Sequence, residues 1–264
     1  MKYFAFDINE TIVAFDSTED QTQPELAQKI VDKYLGVYKT KAQKKMEEVL
    51  GLSEGEEEID EQLNEKLKEK LKDEVCQFLT KNKQKLFTSF LKVLDLVLDD
   101  KNDVGIMLRT FGEDGENVMQ LIMEYLKSKS SPTAACNEFT SYEMKRKVGA
   151  KFEIKQKGDS FVSYDLDGVK SWFDSLQHKF VFIKDDYQFW NSHSRQSRAG
   201  KIAFTDNIIR FFDDNDCVCM YAVDPSSQEI VYDSTSKTFK KIKTFNAMCD
   251  ENYFVKNLLH RKKT

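Results

Sequence analysis

Short, almost wholly apolar segments bounded by turn residues most constrain the fold of this chain. Examples are YFAF, VGIMLR, KFVFI and NIIRFF. Runs this short favour buried strands, whereas intervening segments such as NVMQLIMEYLKSK and GVKSWFDSLQ have the spacing of amphipathic helices. Strands that alternate with helices predict an α/β fold with a Rossmann-like parallel sheet and helices on both faces. Ligand sites in such sheets lie at the carboxyl ends of the strands.

A long stretch rich in Lys, Glu and Leu separates the first strand from the second. Apolar residues recur at every fourth position within it, as at Leu67, Leu71 and Val75, which predicts helices with one apolar face. We therefore predict an α-helical cap over residues 16–100, inserted in a core formed by residues 1–15 and 101–264. The segments KFEIK and SFVSY flank QKGD and predict a small β-hairpin within residues 150–165.

Composition and charge exclude several classes of function. The net charge is -5, with 40 basic and 45 acidic residues, so nothing in the overall charge predicts a nucleic-acid partner. No apolar run approaches the roughly 18 residues of a membrane span, and the first residues do not resemble a secretion signal. We expect a cytoplasmic protein, with a nuclear location left open. No phosphate loop, dinucleotide fingerprint or G-x-S-x-G nucleophile elbow is present.

Polar residues follow or precede the apolar strands at the places where a site is expected. These residues are Asp7, Asn9, Thr110, Lys201, Asp213 and Asp214. Taken singly, each is explained as a cap or turn residue. Taken together, they supply carboxylates that would repel one another strongly unless a lysine and a divalent cation were also present. The sequence therefore predicts that all of these pieces meet at one site or that none of them does.

In this order the residues resemble the motifs of the haloacid dehalogenase-like (HAD) superfamily of phosphohydrolases and phosphotransferases. FAFDINET is similar to the first motif, D-x-D-x-T/V, except that Asn9 stands where the second Asp is usual. IMLRT, which ends in Thr110, resembles the second motif, and Lys201 in AGKIAF resembles the third. FFDD resembles the fourth, and the long interval after the first motif is where that superfamily often carries a cap.

The resemblance implies Mg²⁺ as the cofactor and a phosphorylated small molecule or a phosphoprotein as the substrate. Asp7 would be the nucleophile and would form an aspartyl-phosphate. The Asp7 carboxylate, the main-chain carbonyl of Asn9, and Asp213 or Asp214 would hold the cation.

The resemblance also implies roles for the remaining residues. Thr110 and Lys201 would hold the phosphoryl group, and Thr11 would cap the turn that aims the nucleophile. In phosphatases of the superfamily, the residue at the position of Asn9 is the general acid and base. An amide cannot exchange a proton near neutral pH, so this departure puts fast hydrolysis in doubt.

Three alternatives therefore stay open at the level of sequence. The chain could be a slow phosphohydrolase or a phosphotransferase, or a catalytically silent protein that binds a phosphorylated ligand or a protein through the cap. It could also be an adaptor that recruits partners through its helices. The segment DDYQFWNSH, with Arg195 and Arg198 downstream, could frame a substrate opening, although its aromatic residues are more typical of a core.

Overall fold

An eight-stranded, mostly parallel β-sheet forms the centre of the fold. The computed structural model of the chain describes residues 1–14, 22–34, 61–81, 86–98, 104–129, 138–149, 151–215, 220–225 and 238–259. Its strands are β1 (Lys2–Asp7), β2 (Val104–Thr110), β3 (Phe139–Lys147), β4 (Lys151–Gln156), β5 (Val162–Tyr164), β6 (Phe180–Lys184), β7 (Lys201–Phe204), β8 (Ile208–Asp213), β9 (Met220–Val223) and β10 (Phe239–Lys241). The sheet has the order β10-β8-β1-β2-β6-β3-β4-β5, and β7 pairs with β9 in a separate parallel sheet.

The main sheet is parallel along most of its width and becomes antiparallel at one edge. All neighbours from β10 to β3 are parallel, whereas β4 is antiparallel to both β3 and β5. The prediction of a parallel sheet is therefore confirmed for most of its width, and the last two strands are the ones predicted to form a hairpin. They are antiparallel because short connections join β3, β4 and β5, and such connections can link only antiparallel neighbours. The predicted hairpin is β4 with β5, and it extends the main sheet.

Helices lie between the strands in sequence and flank the sheet. They are α1 (23–34), α2 (Glu61–Lys81), α3 (Thr88–Leu98), α4 (Gly115–Lys129), α5 (Leu166–Ser175), α6 (Tyr187–Ser192), α7 (Thr244–Cys249) and α8 (Tyr253–Leu259). None of these described helices is both long and apolar enough to cross a membrane. Parallel strands flanked by helices in this way are compatible with a Rossmann-like fold.

Alternate residues of the central strands β1, β2 and β6 enter two separate cores, one on each face of the sheet. In β1, Phe6 belongs to the first core, whereas Tyr3 and Ala5 belong to the second. Helices α3, α4 and α8 contribute to the first core, and α5 contributes to the second together with β7 and β9. The second face is thus covered by one helix and the small sheet, because β7 and β9 present apolar side chains to it.

Helices from the segment predicted as a cap pack on the first core. Val75 of α2 and Phe90 of α3 are buried in the same cluster as Phe6 of the central strand. Residues 35–60, which make up much of the predicted cap, lie outside the described residues. A cap that stands apart from the core over residues 16–100 therefore stays a prediction.

Candidate functional site

Three neighbouring parallel strands end at the candidate site. Asp7, Thr110 and Asp213 are the last residues of β1, β2 and β8, and β1 lies between the other two. All three strands are apolar and buried, so the sheet core fixes the position of each polar end. The carboxyl ends of parallel strands meet at the same edge of a sheet, which brings together residues that are far apart in sequence.

The ammonium group of Lys201 lies between two of the predicted carboxylates. Its Nζ donates to Asp7 Oδ1 at 2.5 Å and to Asp213 Oδ2 at 2.9 Å. The exposed fractions of Lys201, Asp7 and Asp213 are 1%, 6% and 0%. A buried charge is costly unless it is paired, so Lys201 offsets the repulsion that two buried carboxylates would otherwise have.

Two buried arginines hold the backbone on both sides of Lys201. Arg109 donates through Nη1 to the carbonyl of Ile202 at 2.7 Å. Arg146 donates to the carbonyl of Gly200 at 2.9 Å and to that of Arg198 at 2.8 Å. Arg109 is itself held by Asp185, at 2.8 Å from Nε and 2.5 Å from Nη2. Sequence reasoning missed both arginines, although an Arg inside a strand as apolar as VGIMLRT was a signal for a buried ion pair.

The loop that follows β8 is tied to the loop that follows β1. The backbone N–H of Asp214 donates to Thr11 Oγ1 at 3.1 Å. The carboxylate of Asp214 accepts from Lys33 Nζ at 3.2 Å and from Asn215 Nδ2 at 3.1 Å. Thr11 was predicted to cap the turn after the nucleophile; instead, its hydroxyl holds the second loop against the first.

Glu10 is a buried carboxylate that the sequence interpretation missed. Its backbone φ is 54°, a left-handed conformation that is uncommon outside glycine. Its carboxylate pairs with Lys29 at 2.7 Å and also with Lys33, and its carbonyl accepts from Thr244 Oγ1 at 2.7 Å. The signal available in the sequence was the pair of lysines four residues apart, which places both ammonium groups on one face of α1.

Burial and mutual repulsion shift the pKa values of two of the acidic groups. Burial raises the pKa of Asp7 well above its usual value, with Asp213 and Asp214 adding to the rise and Lys201 opposing it. Burial also raises the pKa of Asp214 to about 7, aided by the charges of Asp213 and Glu10 and opposed by Lys33. Ionising these two carboxyl groups therefore costs more free energy than ionising an exposed carboxyl group.

Three acidic groups lie close enough together to hold a metal ion. One carboxylate oxygen from each of Asp7, Asp213 and Asp214 lies within 4.8 Å of the others. The side-chain oxygen of Asn9 is buried and has no hydrogen-bond partner among the described residues. Carboxylate and amide oxygens are the ligands that Mg²⁺ prefers, so these residues fit the cation. The predicted use of the main-chain carbonyl of Asn9 stays a prediction.

Thr110 and Asn9 meet across the loop that follows β2. Thr110 Oγ1 accepts from the backbone N–H of Gly112 at 2.9 Å. A Cβ atom added to Gly112 would lie 3.0 Å from Asn9 Nδ2 and 3.4 Å from Thr110 Oγ1. The absence of a side chain at Gly112 therefore lets this loop approach both residues closely.

A cavity of about 630 Å³ opens onto these groups. The residues that line it are Asp7, Asn9, Glu10, Lys29, Lys33, Thr110, Phe111, Gly112, Tyr187, Trp190, Arg195, Lys201, Asp214 and Asn215. Five of the six predicted site residues are among them, and Asp213 lies behind Lys201. Their chemical roles stay predictions.

Comparison with known proteins adds nothing to this geometry. No protein-family model, curated protein or solved structure matches the chain.

Proposed function

We propose that this protein is a Mg²⁺-dependent phosphohydrolase or phosphotransferase that acts through an aspartyl-phosphate on Asp7. The observation that carries the proposal is the Lys201 ammonium group, which lies between Asp7 and Asp213 at the strand ends, with Asp214 close enough to share a cation. The resemblance of the motifs to the HAD superfamily supports the same function. We propose a phosphorylated small molecule or a phosphoprotein as the substrate.

The charge of the site supports phosphoryl chemistry. A phosphate monoester is an anion, and a carboxylate can attack it only if nearby positive charge offsets the repulsion. Asp7, Asp213 and Asp214 would hold Mg²⁺, with the Asn9 side chain beside them. The bound cation would neutralise negative charge on the phosphoryl oxygens. Lys201 would supply a second positive charge to the same oxygens.

The residues of the chain would act in two steps. In the first, one Asp7 carboxylate oxygen attacks phosphorus, the ester P–O bond breaks, and the alcohol oxygen leaves with the bonding electron pair and takes a proton from solvent. In the second, water or another acceptor attacks phosphorus and gives up a proton to solvent, the acyl-phosphate P–O bond breaks, and the Asp7 carboxylate is restored. Thr110 and Lys201 would donate hydrogen bonds to the phosphoryl oxygens in both steps.

A second candidate function is favoured by Asn9 and Lys33. Asn9 cannot carry a proton, and Lys33 pairs with Asp214, one of the proposed cation ligands, at 3.2 Å. Both features suit a catalytically silent protein that binds a phosphorylated ligand or a protein partner. In that case the purified protein would bind phosphate compounds but would form no phosphoenzyme.

The experiment is hydrolysis of p-nitrophenyl phosphate by the full chain, with Mg²⁺ and with chelator. We expect turnover that needs the cation and falls at least about 10³-fold in Asp7→Asn, because the nucleophile is lost. The matched control is Asp159→Asn, which alters an exposed carboxylate in the β4–β5 turn, outside the cavity. Hydroxylamine, which cleaves acyl phosphates, should release phosphate from the wild-type intermediate. Equal rates for wild type and Asp7→Asn would exclude the proposed enzyme.

A further inference from the structure

One wall of the cavity carries Arg195, and no carboxylate among the described residues pairs with it. We infer that Arg195 and the adjacent aromatic side chains form a subsite for a second anionic group, so that the substrate is a phosphate ester with an aromatic ring and a carboxylate. This inference rests on the proposed function, which places the phosphoryl group beside Asp7 and Lys201.

The positive charges that line the cavity are not equivalent. Lys201 pairs with Asp7 and Asp213, and Lys29 and Lys33 pair with Glu10. Among the described residues, the side chain of Arg195 contacts only neutral groups. Its Nε donates to Asn191 Oδ1 at 3.1 Å, and its Nη2 donates to the Tyr187 hydroxyl at 3.3 Å. Among the described cations that line the cavity, Arg195 is therefore the one whose charge is available to a ligand carboxylate.

The backbone holds Arg195 in place before any ligand arrives. Ser194 and Arg195 have φ values of 55° and 54°, and the Arg195 N–H donates to the carbonyl of Trp190 at 3.0 Å. Two successive non-glycine residues in the left-handed region cost free energy, and such strain concentrates at functional sites. The guanidinium carbon also lies 5.5 Å from the centroid of the Trp190 ring. These contacts orient the guanidinium group, which lowers the entropy lost when an anion binds.

An aromatic wall joins Arg195 to the reactive end of the cavity. The rings of Phe111 and Trp190 are stacked, with centroids 4.8 Å apart and planes at 12°. Lys201 Nζ lies 4.9 Å from the centroid of Phe111, at the end of the wall where Asp7 lies. Tyr187, whose exposed fraction is 41%, adds a third ring at the opening. A planar ring would lie along this wall, with its phosphate toward Lys201 and its carboxylate toward Arg195.

The simpler explanation is that Arg195 only closes the turn after α6. In that case the side chain would affect the stability of the turn and would not distinguish between ligands. Binding of non-hydrolysable analogues separates the two explanations without any need for turnover. The probes are 4-carboxybenzylphosphonate, benzylphosphonate, and a carboxyalkylphosphonate of matched length, each titrated by calorimetry into the full chain with Mg²⁺.

We expect the wild-type protein to bind 4-carboxybenzylphosphonate about tenfold more tightly than benzylphosphonate, because of a charge-assisted hydrogen bond to Arg195. Arg195→Ala should remove that preference and leave the affinity for benzylphosphonate unchanged. Lys151→Ala, which removes an exposed positive charge outside the cavity, should keep the preference. The carboxyalkylphosphonate should bind more weakly than the aromatic carboxylate.

Several results would overturn the inference. One is equal affinity of the wild-type protein for the two aromatic probes. Another is an equal loss of affinity for both aromatic probes in Arg195→Ala. A third is an equal affinity of the wild-type protein for the carboxyalkylphosphonate and for 4-carboxybenzylphosphonate. Failure of the proposed function has a different signature. The protein could prefer the carboxylate probe through Arg195 and yet show no turnover that depends on Asp7. That result would support the subsite and exclude the proposed enzymatic function.

Discussion

Asn9 stands next to the proposed nucleophile at a position where proton transfer would be useful. Its buried amide oxygen has no partner among the described residues, and its Nδ2 faces Gly112. An aspartate would fit the same space and could give a proton to the leaving group and take one from the attacking water. In the proposed enzyme, the residue would therefore permit phosphate binding but limit the rate of hydrolysis.

We predict that Asn9→Asp raises the Mg²⁺-dependent rate with p-nitrophenyl phosphate or a less activated aryl phosphate. General acid–base assistance contributes about 10²- to 10⁴-fold, and the gain should be larger for the poorer leaving group. The measurement is kcat for both substrates. The double variant Asp7→Asn, Asn9→Asp should be inert, and an unchanged kcat in Asn9→Asp would show that proton transfer does not limit the reaction.

Asp214 supplies a prediction on pH. Its pKa is raised to about 7 in the folded, cation-free protein, so its contribution to stability is complete at low pH and is lost as the pH rises through about 7. Mg²⁺ needs the ionised carboxylate and should restore that stability. The increase in Tm on adding Mg²⁺ should therefore be larger at about pH 8 than at about pH 6. Asp214→Asn should flatten this difference, and a Tm increase independent of pH in wild type would contradict the prediction.

Among single residues, those at the ends of apolar strands could be predicted from the sequence. Residues whose ion-pair partners are distant in sequence could not. Asp7, Thr110 and Asp213 directly follow strand patterns, so their convergence follows from the geometry of a parallel sheet. Glu10 and Arg109 give no such local pattern. Their partners, Lys29 for Glu10 and Asp185 for Arg109, are distant in sequence and become neighbours only when the chain is packed.

Among the elements, β7 shows how a short strand can carry a central side chain. Its first residue is Lys201, and the carbonyls on either side of that residue accept from Arg146 and Arg109. Hydrogen bonds from arginine side chains therefore join β7 to the main sheet. Among the described residues, the backbone hydrogen bonds that pair neighbouring strands within a sheet do not join these two sheets. The position of the Lys201 ammonium group depends on these contacts.

We predict that Arg109→Met lowers the free energy of unfolding by about 3 to 5 kcal/mol, because Asp185 is left charged, buried and unpaired. The measurement is urea denaturation followed by circular dichroism. The double variant Arg109→Met, Asp185→Leu removes both charges and should recover most of the loss. Equal destabilisation in the single and double variants would mean that packing, and not the unpaired charge, causes the effect.

Strand β3 shows why some elements escaped sequence reasoning. Its sequence, FTSYEMKRK, is mostly polar, and its buried residues Tyr142, Met144 and Arg146 alternate with half-exposed ones. We identified strands as continuous apolar runs, which suits the middle of a parallel sheet but not strands toward its antiparallel edge. Strand β10 was missed because FKK has one buried residue and two exposed lysines.

For the whole molecule, Phe6 joins the central strand to the helices of the first core. Its ring lies 5.0 Å from that of Phe90, 4.9 Å from that of Phe212 and 5.3 Å from that of Phe254, measured between centroids. These partners belong to α3, β8 and α8. One side chain of the first strand thus packs against three elements that are far from it in sequence.

We predict that Phe6→Ala destabilises the fold by about 3 to 5 kcal/mol, since it leaves a cavity that these rings cannot fill. Val148→Ala, at a position with an exposed fraction of 84%, should stay within about 0.5 kcal/mol of wild type. The measurement is chemical denaturation followed by both fluorescence and circular dichroism. A loss seen by only one probe would mean that the first core does not unfold as a unit.

The pairing of Asp7 with Lys201 has a consequence for biosynthesis. On the ribosome, nearly two hundred further residues are added after Asp7 before its lysine partner is made. Until then, the first strand ends in a carboxylate that has neither its counter-ion nor its neighbouring strand β8. The nascent chain therefore cannot perform the proposed chemistry until the segment that carries Lys201 and β8 has been made.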